Sequence, residues 1–453
     1  MCINQSKSSA ATSIGAPTEK RPVFPDGDAS LPYNAWLKDF DLKAFTNDIK
    51  ALGKTLEKNQ GPADVAHLNK IVMWSNLFAL VGLATMGSFE GLARAVPVVC
   101  LSTWTFSRWT MIAHHTCHGG YDKVHPNKGR WNRFKFAVGG LWNRLCDWFD
   151  WMMPEAWNIE HNNRHHYCLS EMDDPDLVEN NLESIRKLNV SLPTKYLIVF
   201  INMLTWKWAY YAPNTYKELK LAGMRRRGEK IPAHVNPTDA LTIRVLLSGE
   251  SYFYSLWEFI SVVVGPYLLI HFFLMPLPLL LVEKYVEAEQ YSMYMCAVKS
   301  LFLAELLTNV HAFVAIVTNH AGDDMYRFRN GCKPYSGSFF LRQVLASVDF
   351  SYGTDAVDFF HGWLNYQVEH HLWPNLSMLS YQRSAPLVRA ICEKHGVPYV
   401  KQNVFYRVHK TVEIMVGTKS MRWLPVKYEE EFLKIDMEME REKHGDGQKF
   451  FAQ

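Results

Sequence analysis

Four stretches of this 453-residue chain are apolar over a length that matches the hydrocarbon core of a bilayer, and they limit the fold more than any other feature. A crossing helix needs about 20 consecutive, mostly apolar residues. The stretches run from Ile71 to Gly87, from Ala95 to Ala113, from Tyr252 to Met275, where Pro276 and Pro278 punctuate the sequence, and from Tyr291 to Thr318. Only Ser88 to Arg94 separates the first pair, and a short link separates the second. The expected fold class is therefore an all-α integral membrane protein with four transmembrane helices in two hairpins. Four crossings place the N-terminus, the polar loop around residues 114–250 and the C-terminal region on one side of the membrane.

Charge gives that side a name. The long loop is rich in Lys and Arg, including Arg225, Arg226 and Arg227, whereas the second link carries Glu283, Glu287 and Glu289. By the positive-inside rule the loop is cytosolic, or stromal in a plastid membrane. Glu258, Lys299 and Glu305 fall within spans and are expected to face the bundle or to snorkel. Aromatic residues make up 14% of the chain, which suits rings held at headgroup depth. The segments 136–157 and 196–213 are apolar but peppered with charge, and they read as interfacial helices, with a fifth and sixth crossing as the alternative. A net charge of +3 gives no argument for nucleic acid, and none is expected as a partner. The eight cysteines, scattered without a Cys-x-x-Cys word, read as reduced thiols.

Three histidine words lie beside these spans, all on the loop side: His114-His115-Thr-Cys-His118, His161-Asn-Asn-Arg-His165-His166 and Gln367-Val-Glu-His370-His371. Neutral imidazole is the side chain best suited to iron, copper or zinc. Clustering on one membrane face exceeds what packing requires, and it predicts a metal centre of more than one ion. Residues 114 and 118, four apart, share one helical face, as do 161 and 165. His166 is turned about 100° from His165, so neighbouring rings can serve different ions. Gln367 can bond a metal-bound water or ligate through its carbonyl. By contrast, His67, His234, His395, His409 and His444 read as surface or packing residues.

The order of these words, with two membrane hairpins between them, resembles the membrane fatty acid desaturase family. The stretch His361-Gly-Trp-Leu-Asn-Tyr-Gln-Val-Glu-His-His-Leu-Trp-Pro-Asn-Leu is similar to the third box of its front-end branch, in which Gln replaces the first histidine. The likeness spans roughly residues 70 to 405. It implies two iron ions held by His114, His118, His161, His165, His166, His370 and His371 in a cytosolic helical cap, with O2 as co-substrate. The family's further ligand near the end of the fourth span is matched by His320, with His311 the weaker candidate. His115 stands where an acidic residue is common, and it and Gln367 are assigned either a supporting role beside the ligands or a place as further ligands. Abstracting hydrogen from an unactivated methylene requires an oxidant stronger than any side chain, which is why oxygen must be reduced at metal.

The implied activity is insertion of a cis double bond into an acyl chain, membrane lipid or acyl-CoA, by an acyl-lipid desaturase of the endoplasmic reticulum, with a plastid membrane as the alternative. The fused cytochrome b5 domain of many front-end relatives, with its His-Pro-Gly-Gly word, does not precede residue 70, so a separate cytochrome b5 or ferredoxin is expected to supply electrons. A di-iron hydroxylase and a sphingolipid long-chain-base desaturase are the nearest rivals. A metal transporter or metal-binding receptor would instead place its ligands inside facing spans. Residues 1–66 read as a polar, disordered segment, 67–410 as the desaturase domain and 411–453 as a charged, helical, solvated tail.

Overall fold

The computed structural model describes residues 30–88, 91–124, 129–286 and 292–444. The first 29 residues, together with Glu287 and Glu289 of the second link, lie outside them. The described chain is mostly helical, with one parallel two-stranded contact between β1 (Tyr326–Arg327) and β2 (Arg422–Trp423).

The expectation of disorder before residue 67 fails from residue 32 onward. Pro32–Lys38 forms a short 3-10 turn, and α1 (Leu42–Asn59) follows it. Its start is capped by the Asp41 carboxylate, which accepts from the Ala44 N–H at 3.0 Å. Leu42, Phe45, Ile49 and Leu56 recur at helical spacing and are buried. The polar average of the segment conceals this apolar stripe.

α2 (Pro62–Thr85) begins with proline in its first turn, and the Asp64 carboxylate accepts from the Gly61 N–H at 2.7 Å. α3 (Ala95–Ser107) continues through a π-helical turn, Arg108–Ala113, into His114–Cys117. The two helices cross closely at Gly82, where a Cβ would stand 2.8 Å from Leu101 Cγ. Another short helix, α4 (Pro154–Trp157), leads into a second π-turn, Asn158–Asn162. α5 (Leu192–Trp206) runs through Lys207–Tyr211 into α6 (Ala212–Arg227), which ends at the left-handed Gly228 (φ 69°). α7 (Leu256–Tyr285) and α8 (Met293–Ile316) form the second hairpin.

Among the described residues, three helical segments, Pro62–Thr85, Leu256–Tyr285 and Met293–Asn319, are long and apolar enough to cross a membrane. The stretch expected as the second of four crossings, Ala95 to Ala113, is helical but does not join them. It spends polar side chains inside the bundle. Ser107 donates to the Ser75 hydroxyl at 2.8 Å on α2, and Thr308 of α8 donates to the Ser102 hydroxyl at 3.0 Å. Glu305 behaves as expected of a carboxylate in a span: it is buried and accepts from Trp151 Nε1 at 3.1 Å and from the Tyr267 hydroxyl. α5 packs on α8 and leaves Leu197, Phe200 and Ile201 half-exposed.

The remaining chain builds a cap: α9 (Gly337–Leu345), α10 (Gln367–Leu372), α11 (Met378–His395), α12 (Val404–Val416) and α13 (Val426–His444). Phe45 and Ile49 of α1 join Phe340, Val344, Leu372, Val388 and Phe432 in one apolar cluster. The C-terminal region is therefore not a solvated tail set apart at residue 411. α12 runs through that boundary with Ile414, Met415 and Val416 buried, and the buried Glu429 carboxylate accepts from the backbone N–H groups of Arg329 and Asn330. All seven cysteines among the described residues are free thiols.

Candidate metal centre

The first two histidine words sit where a helix is locally irregular. The π-turn of α3 ends at Ala113, directly before His114, and His118 caps the helix that follows. His161 lies in the π-turn after α4, whereas His165 and His166 begin a separate 3-10 turn beyond Asn163 and Arg164. The second word is thus not one helical face, as its spacing suggested. The break still stacks the His161 and His165 rings, with centroids 5.2 Å apart. π-turns inside helices concentrate at functional sites, because the extra residue re-aims the side chains beyond it.

Eight histidines meet in two groups whose nitrogens lie within 4.8 Å of one another inside each group. One holds His114, His118, His161, His166 and His370; the other holds His165, His320 and His371. The adjacent pairs 165/166 and 370/371 split between the groups, as the rotation between consecutive residues implies. His320, from the end of α8, joins the second group, and the Gln367 amide reaches its Nε2 at 3.0 Å. His115 stands outside both groups, against Tyr381, with its Nδ1 2.8 Å from the Met111 carbonyl oxygen. His311 is also outside, stacked on Phe106 and bonded to the Phe360 carbonyl at 2.7 Å.

The proton pattern of the first group favours a cation. His114 Nδ1 donates to the Thr110 carbonyl at 3.2 Å, and His370 Nδ1 donates to the Tyr381 hydroxyl at 3.3 Å, which itself donates to a backbone carbonyl. Both rings therefore present an Nε2 lone pair inward. Between them runs a row of Nε2 contacts: His114 to His161 at 3.0 Å, His161 to His166 at 3.3 Å, and His166 to His370 at 3.1 Å. With lone pairs at both ends, both middle rings would have to donate outward, leaving their own contact without an acceptor. His118 Nε2 is buried with no partner at all. A metal ion accepts every lone pair at once, and spacings near 3 Å are those of adjacent ligands on metal–imidazole bonds of about 2.1 Å.

Electrostatics point the same way. Burial, reinforced by neighbouring imidazoles, holds His114, His118, His161, His166, His370 and His371 well below the usual imidazole range. His320 is brought down to about 3 and His115 to about 4, again chiefly by burial. These rings are neutral and ready to ligate. His165 differs. Burial depresses it, but the Asp174 carboxylate, 2.9 Å from its Nδ1, outweighs burial and raises it. Its proton is fixed at Nδ1, so Nε2 is the free nitrogen.

Comparison with known proteins agrees with this geometry. The sequence model of the family described as fatty acid desaturase matches residues 91–403, which include every histidine above. The chain belongs to the fatty acid desaturase family. Similar stretches occur in fatty acid desaturase 3 of Bos taurus, 54% identical over 43 residues (10% of each chain), and in the sn-1 linoleoyl-lipid 6-desaturase of Arthrospira platensis, 35% identical over 66 residues (15% of this chain, 18% of that one). A third lies in Delta(8)-fatty-acid desaturase 1 of Arabidopsis thaliana, 32% identical over 93 residues (20% and 19%). The aligned stretches thus span between a tenth and about a fifth of each of these relatives.

In this desaturase-family chain, residues that the histidine pattern does not reveal hold the rings in place. Asp174 orients His165, Gln343 Oε1 accepts from His371 Nδ1 at 3.1 Å, and the Ala346 carbonyl accepts from His320 Nδ1 at 2.9 Å. The signal for Asp174 was the acidic run Asp173-Asp174-Pro-Asp176 just after the second word; Gln343 carried none. Asp174 also accepts from the backbone of Ser170 and Asp176, at 2.7 and 2.9 Å. Such partners tune metal affinity by about 10- to 100-fold. Asp174→Asn is expected to weaken iron retention on that scale, read as iron per chain after a timed chelator challenge, while the chain remains in the membrane fraction.

Two cavities meet the histidines from different sides. The first, about 340 Å³, has apolar walls that include Trp109, Trp157, Val199, Phe313 and Met415, and it ends on His114, His161, His165 and His320. Exposed Ser184 and Arg244 mark its opening. The second, about 510 Å³, is polar and ends on His118, His166 and His371.

Proposed function

We propose that this chain is an acyl-lipid desaturase of the front-end type, placing a cis double bond in an acyl chain held in the apolar cavity. The observation that carries the reading is the cavity itself: a hydrocarbon-lined space of about 340 Å³, within the usual range for ligand pockets, that ends on four histidines of a convergent cluster. The word Gln367-Val-Glu-His370-His371 supports the front-end assignment, as do relatives named as 6- and Delta(8)-desaturases.

His114, His118, His161, His166 and His370 would hold one iron, and His165, His320 and His371, with Gln367 beside them, a second. Iron bound there supplies the dioxygen-dependent oxidising power that an unactivated C–H bond demands. The protein's own contribution is placement. Trp109 and Trp157 wall the chain where it passes His114 and His161, the apolar lining excludes water, and Asp174, Gln343, Tyr381 and the Ala346 carbonyl keep the rings from turning. Ala95 to Ala113 completes a fourth crossing, with the histidines on the cytosolic face of the endoplasmic reticulum and a separate cytochrome b5 or ferredoxin as electron donor.

Expression in a host of simple lipid content, fed defined fatty acids, tests the reading by mass spectrometric location of new double bonds. New cis alkenes at a fixed distance from the carboxyl end are expected. Hydroxylated chains, or no change with the protein present and iron-loaded, would overturn it. Val199 is buried in the cavity wall, so Val199→Trp is expected to lower conversion of long chains by about 10- to 200-fold, the scale on which apolar pockets discriminate size.

A further inference from the structure

The two cavities share no histidine. His114, His161, His165 and His320 face the apolar one, and His118, His166 and His371 face the polar one. If, as the proposed function requires, an acyl chain fills the apolar side, everything else must use the other side. The balance of the reaction makes that traffic considerable: a CH2–CH2 unit, one O2, two electrons from a one-electron haem or iron–sulfur donor, and two protons give CH=CH and two waters. Neither the protons nor the waters can move along a chain-filled apolar cavity, where no group can hydrogen-bond them.

We propose that the polar cavity is an aqueous port of the metal centre, serving water, protons and small hydrophilic ligands, and that Tyr335 is its lid. This rests on the desaturase reading above. Four asparagines, Asn158, Asn162, Asn163 and Asn375, line the cavity with Arg133. Asn162 Oδ1 is buried without a protein partner, and a polar group facing a polar space of this size is satisfied by water. Arg133 is held at the wall by Asp122, whose carboxylate accepts from its backbone N–H at 3.0 Å and from its Nε at 2.5 Å.

Tyr335 covers this space in an unusual way. Its φ is 63°, a left-handed conformation that strains a bulky residue and persists only when surrounding contacts enforce it. Its hydroxyl meets that of Tyr167 at 2.9 Å, and Tyr167 follows His166 directly in sequence. Tyr335 is 56% exposed, and its ring packs on those of Tyr167 and Phe339, contacts that an outward swing gives up.

The test uses azide, a small hydrophilic anion, mixed rapidly with the iron-loaded, oxidised protein in detergent with saturating fatty acyl lipid, and follows the metal-ligand absorption band. Asn163→Trp, which plugs the port from an exposed wall position, is expected to slow azide association by about tenfold or more, the scale at which passage and not bond formation sets the rate. Tyr335→Gly relieves the left-handed strain, removes the lid and is expected to speed it. Val199→Trp, in the apolar wall, is expected to leave the rate unchanged. Iron-loaded variants with unaltered rates, or slowing by Val199→Trp instead, would overturn the port. Wild-type protein that binds no iron would instead overturn the function on which it rests.

Discussion

Substituting His165 with alanine is expected to reduce bound iron from two equivalents per chain to one and to abolish desaturation, while membrane insertion and expression stay normal. The two histidine groups are unequal. Five imidazoles surround one position and three the other, with Gln367 beside the smaller set. Losing one ligand of five leaves a site that can still hold an ion; losing one of three leaves two histidines and an amide. His165 is also held in place by the Asp174 carboxylate at 2.9 Å, so its loss removes a pre-aimed ligand from the smaller set. Because even an orienting partner controls about 10- to 100-fold in affinity, removal of the ligand itself is expected to exceed that range. Iron content by plasma mass spectrometry, beside product analysis, checks both halves. Two equivalents of iron retained with full activity would remove His165 from the centre.

His118→Ala, by contrast, should leave partial occupancy of the larger group, since four imidazoles remain around it. Comparing the two variants tests whether the division seen in the geometry is also a division in metal affinity.

Much of this arrangement was readable in the chain. The histidine words, the apolar stretches beside them and the separation of consecutive imidazoles all follow from residue type and helical rotation. His320 was placed by the family resemblance, which implies a further ligand near the end of the fourth span. What escaped depends on contacts between distant segments or on local breaks in regularity. The interruption at Asn163 and Arg164 turns His165 and His166 away from a helical face, and only the paired asparagines Asn162 and Asn163, poor helix formers, mark it in the sequence. Gln343 reaches His371 across 28 positions of sequence, and a lone glutamine on an amphipathic helix resembles any other. The N-terminal helix was legible in Leu42, Phe45, Ile49 and Leu56 but was masked by the polar average around it. The C-terminal helix looked solvated because Glu429 is buried by pairing with backbone N–H groups near Arg329, a partner that composition cannot reveal.

The largest stability effect is expected at a pair outside the histidine words. Lys207 and Asp150 are both fully buried, Nζ to Oδ2 at 2.9 Å, with the ammonium lying 5.1 Å from the Trp109 ring centre and 5.4 Å from that of Trp151. Burial pushes the Asp150 carboxyl upward and Lys207 pulls it back, so the carboxylate depends on its partner. Lys207→Met keeps most of the side-chain volume but strands the acid; breaking a buried ion pair in this way costs about 3–5 kcal/mol. Removing both charges, Lys207→Met with Asp150→Asn, is expected to recover most of the loss, because the penalty belongs to the unpaired charge and not to the missing attraction. Thermal unfolding of the detergent-solubilised protein checks the order: wild type, then the double variant, then the single. A single variant as stable as wild type, or a double variant no better than the single, would show that the pair is not the strut it looks like. The pair also backs Trp109, a wall of the apolar cavity, so the single variant is expected to lose chain-position fidelity in its products as well as stability.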